Sequence, residues 1–200
     1  LLPGPVRIRR RVVSGQPRAR RHNARAAAPQ PDDRKRLFQS CGGIKANRKR
    51  LNVQIRIFLT MCGITGILHL NGTSVDAAQL QPMTDAIANR GPDGEGQLAE
   101  GPVGLGHRRL AILDLSEAGR QPMSTLDGRY TITYNGEIYN YRELRRELEK
   151  LGRNFRSGTD TEVILHAFSE WREKALDRFN GMVAFAIWDT KRRELFLARD

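Results

Sequence analysis

The chain has 200 residues, with 34 Lys+Arg against 22 Asp+Glu, a formal net charge of +12 and 39% hydrophobic residues. That length allows one or two domains with a true core, and the excess charge invites a nucleic-acid partner. No apolar run could span a membrane or act as a secretory signal; the two cysteines, Cys41 and Cys62, make neither a disulfide framework nor a zinc site, so a reducing, cytoplasmic setting is expected.

The charge is concentrated at one end. Residues 1–60 carry 16 Lys+Arg against 2 Asp+Glu, and the remainder 18 against 20. Residues 1–61 therefore read as a disordered Arg-rich leader, rich in Pro and without a sustained period, outside the mature protein. Three uses of it stay open: a nucleic-acid arm, a transit peptide, or sequence upstream of the true start. Only Phe38 and Phe58 could stack on bases and only Ser14 and Ser40 supply serines, which argues against the first two. Leu1 and the internal Met61 favour the third.

From Cys62 onward the chain has a regular rhythm. "CGITGILHL" predicts a short buried strand, and "SVDAAQLQPMTDAIANRG" a helix with Asp76 near its start and Gly91 past its end. "GEGQLA" fits G-x-G-x-x-A, but a turn rather than a strand precedes it, so a dinucleotide reading is discarded. "GPVGLGHRRLAIL" predicts another strand. "RYTITYNGEIYN" predicts a strand that breaks at Asn135-Gly136. "YNYRELRRELEKLG" predicts a helix with Leu144, Leu148 and Leu151 on one face and Gly152 as its stop. A further helix follows in "TDTEVILHAFSEW", then a strand pair, "MVAFAIWD" and "ELFLARD", around a polar "TKRR" turn. Paired strands with helices between the pairs imply α+β layering.

No P-loop, H-E-x-x-H or cysteine–histidine metal spacing occurs, and no G-x-S-x-G elbow. The polar residues at strand ends and turns suit a zwitterion. Arg109 can fork a carboxylate, Glu137 and Asp160 can hold an ammonium, and Asn135 with the Gly136 amide can donate to an oxyanion. Cys62 is the available nucleophile. Each has a local alternative: Asn135-Gly136 is a common hairpin-turn pair, Asp160 a helix cap, Arg109 a surface charge and Glu137 a solvated carboxylate. Cys62 could be a small buried hydrophobe. His107 and Cys41 read as structural or incidental.

The segments "MCGITGI", "NRGPDGEG", "GHRRLAILDLS", "YNGEIYNYRELR", "SGTDTEVIL" and "FNGMVAFAIWD", in this order and spacing, resemble the class II glutamine amidotransferases, and among them the glutamine-hydrolysing asparagine synthases. "RGPD" and "NGEIYN" favour these over amino-sugar and purine-pathway relatives. The resemblance implies a four-layer αββα N-terminal-nucleophile hydrolase sandwich over residues 62–200, truncated at its C-terminal end. It implies Cys62 as the nucleophile, with its own α-amine as general base once the Met61–Cys62 bond is broken. That amine titrates near 8, close to a thiol. Asn135 and Gly136 would form the oxyanion hole, Arg109 would bind the α-carboxylate, Glu137 and Asp160 the α-ammonium, and Arg90–Asp93 would shape the site.

Asparagine synthases carry a second domain that uses ATP and Mg²⁺ on aspartate; its Ser-Gly-Gly-x-Asp-Ser loop is not in this sequence. The expected substrate here is glutamine, with no cofactor and no metal. Aspartate, ATP and Mg²⁺ are expected only in a full-length enzyme. A membrane partner is not expected, the sparse aromatics of the leader argue against nucleic acid, and a homodimer stays open. Two other readings remain: another class II amidotransferase, such as an amino-sugar synthase, and a basic nucleic-acid-binding protein.

Overall fold

The structure is a computed structural model that describes residues 6–12, 62–111 and 113–200, and the backbone of 52–58. Ser14, Phe38, Ser40, Cys41 and Met61, with the Met61–Cys62 bond, lie outside the described residues. In chain order the elements are β1 (Arg7–Val12), β2 (Asn52–Phe58), β3 (Gly63–His69), α1 (Gln81–Asp85), β4 (Gly94–Glu100) and β5 (Val103–Arg109). They continue with β6 (Met123–Ser124), β7 (Tyr130–Ile138), α2 (Tyr141–Lys150), α3 (Asp160–Trp171), β8 (Gly181–Asp189) and β9 (Glu194–Arg199).

The strands form two sheets, ordered β1-β9-β8-β7-β6 and β2-β3-β5-β4. Neighbours are antiparallel except β1, which runs parallel to β9. Three clusters of buried side chains show how the sheets and helices stack. Leu68, Val103 and Leu105 of the smaller sheet pack on Ala186, Trp188 and Leu195 of the larger, so the sheets lie face to face. The far side of the larger sheet carries Ile132, Tyr134 and Phe185 against Leu144 and Leu148 of α2 and Val163 and Phe168 of α3. The far side of the smaller sheet sets Ile67 against Leu80 and Met83. The layers are helix, sheet, sheet, helices: the four-layer αββα arrangement that the family resemblance implies.

This layering explains the strand sequences. A strand covered on both faces reads as an apolar run, as "MVAFAIWD" does. Val183, Phe185 and Ile187 face the helices, while Ala186 and Trp188 face the other sheet, as the two-residue period of a strand requires.

Several local expectations change. The helix over 74–91 is instead three short pieces, the 3₁₀ turns Ala77–Gln79 and Ala88–Arg90 flanking α1. Pro82 is the cause, because it has no N–H to continue a helix and is accommodated only in a first turn. Asp76 does start the first piece: its Oδ1 accepts from Ala78 N at 2.9 Å, and Gln79 Oε1 accepts from Asp76 N at 3.2 Å. "GEGQLAE", poor in β-branched residues, is strand β4, held as an edge partner of β5. Leu144 and Leu148 are buried, but Leu151 caps α2 and is 52% exposed.

The disordered reading of residues 1–61 changes at two places. Arg7–Val12 and Asn52–Phe58 each add an edge strand, one to each sheet. β1 is hard to see in "RIRRRV", yet Val6 and Ile8 pack against the cluster between the sheets, and Arg9 Nε pairs with the buried Glu194 at 3.0 Å. Main-chain pairing to an open sheet edge needs little apolar sequence.

Candidate active site

The most consequential difference lies in β7. Asn135-Gly136 does not turn: the strand runs unbroken to Ile138, and Asn135 and Gly136 pair with Ala184 and Val183 of β8. The hairpin alternative is thereby excluded. Gly136 is required because its φ is +155° and an added Cβ would lie 2.1 Å from the carbonyl oxygen of Met182.

The hydrogen-bond phase of β7 decides which backbone groups face outward. Odd residues bond to β8, as shown by Tyr139 N to Asn180 O (2.7 Å) and Thr190 N to Arg129 O (3.0 Å) at the two ends. Even residues therefore turn N–H and C=O to the opposite edge. β6 covers that edge only beside Thr131 and Ile132. Beyond it, side chains replace a strand. Tyr134 N donates to Gln121 Oε1 (2.6 Å), Tyr134 O accepts from His107 Nε2 (3.2 Å), and Ile138 N donates to Asp160 Oδ2 (3.0 Å). The Gly136 N–H lies on this edge between the last two.

A pocket opens there, enclosing about 540 Å³ with its solvent mouth included, within the size range of small-molecule sites. Cys62, Arg109, Gly136, Glu137 and Asp160 all line it. Asn135 does not reach the wall. It is 1% exposed, and neither polar atom of its buried side chain has a hydrogen-bond partner among the described residues. Such an amide is costly unless something satisfies it.

Cys62 stands just before β3, half-buried. Its Sγ accepts from Leu110 N at 3.3 Å, and Arg90 Nε donates to its carbonyl at 3.3 Å. Burial pushes the thiol pKa up, against the pull of the Leu110 N–H and the Arg109 charge. A thiol so placed needs a base to ionise near neutrality. Asp93 Oδ2 accepts from Ala111 N at 2.8 Å, so the "RGPD" loop braces both Cys62 and the segment after β5.

Charge of both signs faces the pocket. Arg109 donates through Nη1 to Ser116 O (2.9 Å) and through Nη2 to Asp114 O, which leaves other guanidinium N–H groups for an anion. Opposite in sign are Glu137, half-buried, and Asp160, 5% exposed. Asp160 is not the cap of α3; Thr159 is, accepting from Glu162 N at 3.3 Å. Instead Asp160 Oδ2 accepts from Tyr134 Oη and Ile138 N, both at 3.0 Å. Burial raises the Asp160 pKa against these donors, so a cation beside it would be stabilising.

Sequence reasoning missed Gln121, Tyr134, Asp114 and Gly119, which also line the pocket, and left His107 as structural or incidental. No local signal marks Gln121, whose role depends on where β7 lies. His107 is 1% exposed, and burial lowers its pKa to about 4. Its neutral Nε2–H donates to Tyr134 O. Because the folded pKa lies below the unfolded value of about 6.5, this site's stabilisation is complete above that value and is lost as pH falls toward 4, by about 3 kcal/mol. Replacing His107 with Gln, which keeps a donor for Tyr134 O, is expected to flatten the decline of the urea midpoint over that pH window. An unchanged decline would place the titration elsewhere.

No helix among the described residues is long and apolar enough to cross a membrane. The profile of the glutamine amidotransferase domain matches residues 61–200. The chain is similar to asparagine synthetase [glutamine-hydrolyzing] 3 of Bacillus subtilis (strain 168), at 49% identity over 143 residues, covering 70% of this chain and 23% of that protein. Asparagine synthetase [glutamine-hydrolyzing] 1 of the same organism is 43% identical over 143 residues, covering 70% and 22%. The asparagine synthetase [glutamine-hydrolyzing] of Asparagus officinalis is 38% identical over 141 residues, covering 70% and 23%. The chain thus spans less than a quarter of the length of these relatives. With a half-buried thiol, a cation and two carboxylates on one pocket beside the open edge of β7, and with its last 140 residues matched throughout, the chain belongs to the glutamine amidotransferase domain family.

Proposed function

We propose that this chain is the glutaminase portion of a glutamine-dependent asparagine synthase, with residues 62–200 as the amidotransferase unit and residues 1–61 outside the mature enzyme. The observation that supports it most directly is the convergence of Cys62, Arg109, Gly136, Glu137 and Asp160 on one pocket. Arg109 takes the α-carboxylate of glutamine, and Glu137 with Asp160 the α-ammonium, so the side-chain amide is presented to Cys62.

With the Met61–Cys62 bond broken, the α-amine of Cys62 accepts the thiol proton. The thiolate then adds to the amide carbon. The Gly136 N–H donates to the resulting oxyanion, and the buried Asn135 amide, which lies behind the wall, would add a second donor only by turning into the pocket. Collapse breaks the carbon–nitrogen bond as the α-ammonium returns its proton to the departing nitrogen, giving ammonia and a Cys62 thioester. Water, deprotonated by the same amine, adds to the thioester and releases glutamate and the thiol.

The acceptor is proposed from the names of the relatives. Aspartate, activated with ATP and Mg²⁺, would take the ammonia in the longer protein; this sequence holds no pyrophosphate loop for ATP, and no step above passes through it. The test uses the 200-residue chain cut between Met61 and Cys62. It is expected to convert glutamine to glutamate and ammonia at least ~10²-fold faster than the uncut chain, the usual contribution of a positioned base. Equal rates would remove the amine from the mechanism, and no ammonia from either form would overturn the glutaminase reading.

A further inference from the structure

We propose that Asp114 is a positioning residue that sets the spacing between the carboxylate and ammonium ends of the glutamine site; this rests on the glutaminase reading above. The mechanism gives the Asp114 side chain no chemical step, yet Asp114 touches both ends of the pocket. Its Oδ1 accepts from Ser116 N at 2.8 Å, which closes a tight turn over residues 114–116. That turn aims the carbonyls of Asp114 and Ser116 at Arg109, one accepting from Nη2 and the other from Nη1. The guanidinium is thus held by the turn that the Asp114 side chain folds.

The other oxygen reaches the opposite side. Asp114 Oδ2 accepts from Gly158 N at 3.0 Å, two residues ahead of Asp160 and just before α3. Gly119 closes the space between the two sides. A Cβ there would lie 2.3 Å from Arg109 Nη2 and 3.2 Å from Thr159 Cγ2, so a side chain at this position would displace the guanidinium from where the turn holds it. The Ser116 hydroxyl and the N–H groups of Gly158 and Ser116 hold the Asp114 pKa down to about 2, so its charge persists across the working pH range. Glu162 braces the same segment from behind, accepting from Arg156 N and from Ser157 N and Oγ at 2.7–3.0 Å. The 156–160 segment is therefore braced independently of Asp114, which fastens to it the turn carrying Arg109's acceptors.

A clamp of this kind affects binding of the amino-acid head more than chemistry at the amide. Asp114→Asn, in the chain cut at Met61–Cys62, is expected to raise KM for glutamine about tenfold while kcat stays within about threefold. The increase should be absent for 4-aminobutanamide, which lacks the α-carboxylate, and should vanish when Arg109 is already Lys, because coupled residues are not additive. KM does not depend on the fraction of folded enzyme, so partial unfolding cannot imitate these results. A fall in kcat at unchanged KM, an equal penalty on 4-aminobutanamide, or multiplicative effects of Asp114→Asn and Arg109→Lys would each overturn the proposal. Absence of glutamine turnover in the parent chain would instead overturn the glutaminase reading itself.

Discussion

Cys62→Ala is expected to abolish glutamine hydrolysis in the cut chain, with a loss of at least ~10⁴-fold, while glutamine still binds. No other thiol among the described residues lines the pocket, and the α-amine that would remain in the variant is a base without a nucleophile to activate. The fold should survive, because Cys62 is only half-buried and its Sγ makes weak contacts to the Leu110 backbone at 3.3 and 3.6 Å. Ammonia release by coupled assay and glutamine binding by titration calorimetry separate the two effects. Wild-type turnover in the alanine variant would show that the thiol is not the nucleophile. Loss of binding together with turnover would show that Cys62 serves the pocket's shape instead.

The second large effect is expected at Gly136. An alanine there would place its Cβ 2.1 Å from the Met182 carbonyl oxygen and 2.8 Å from Tyr134 Cε2, at a φ of +155°. The Met182 contact is backbone on the neighbouring strand, so relief requires β7 and β8 to separate where they pair. Overpacking and backbone strain together cost roughly 2–5 kcal/mol, visible as a lowered denaturation midpoint. The same displacement moves the one backbone N–H offered to the oxyanion, so the folded fraction should turn over at least ~10²-fold more slowly. A variant of ordinary stability and activity would mean that the edge of β7 at Gly136 does not serve the reaction. Alanine at Gly128, where nothing lies within 4 Å of the new Cβ but φ is +66°, provides a control with strain and no site.

The contrast between these two positions shows what was legible in the residues alone. Cys62, Arg109, Glu137 and Asp160 could be singled out by asking which ligand their chemistry suits, because charge and nucleophilicity are properties of the side chain itself. The α+β layering was also legible: apolar runs and cap residues are local, and "MVAFAIWD" and "TDTEVILHAFSEW" take in the fold the strand and helix that their local pattern predicts. Local signals failed where a neighbour outweighed them. Asn135-Gly136 has the composition of a turn, yet nine residues of pairing with β8 hold it extended. "GEGQLAE" lacks strand formers but is held by β5, and "RIRRRV" by β9.

The sequence by itself therefore determined the chemical inventory, the layering and the place of the thiol at the head of β3. Only the tertiary structure decided which of these groups share a pocket and what holds them there. Gln121, His107 and Asp114 act on backbone groups of Tyr134, Ser116 and Gly158, from 2 to 44 residues away in the chain. A hydrogen bond to a peptide group carries no trace of the partner's side chain, so no residue pattern could announce it. The outward face of Gly136 has the same origin, since it follows from the phase of the β7–β8 ladder and from the early end of β6.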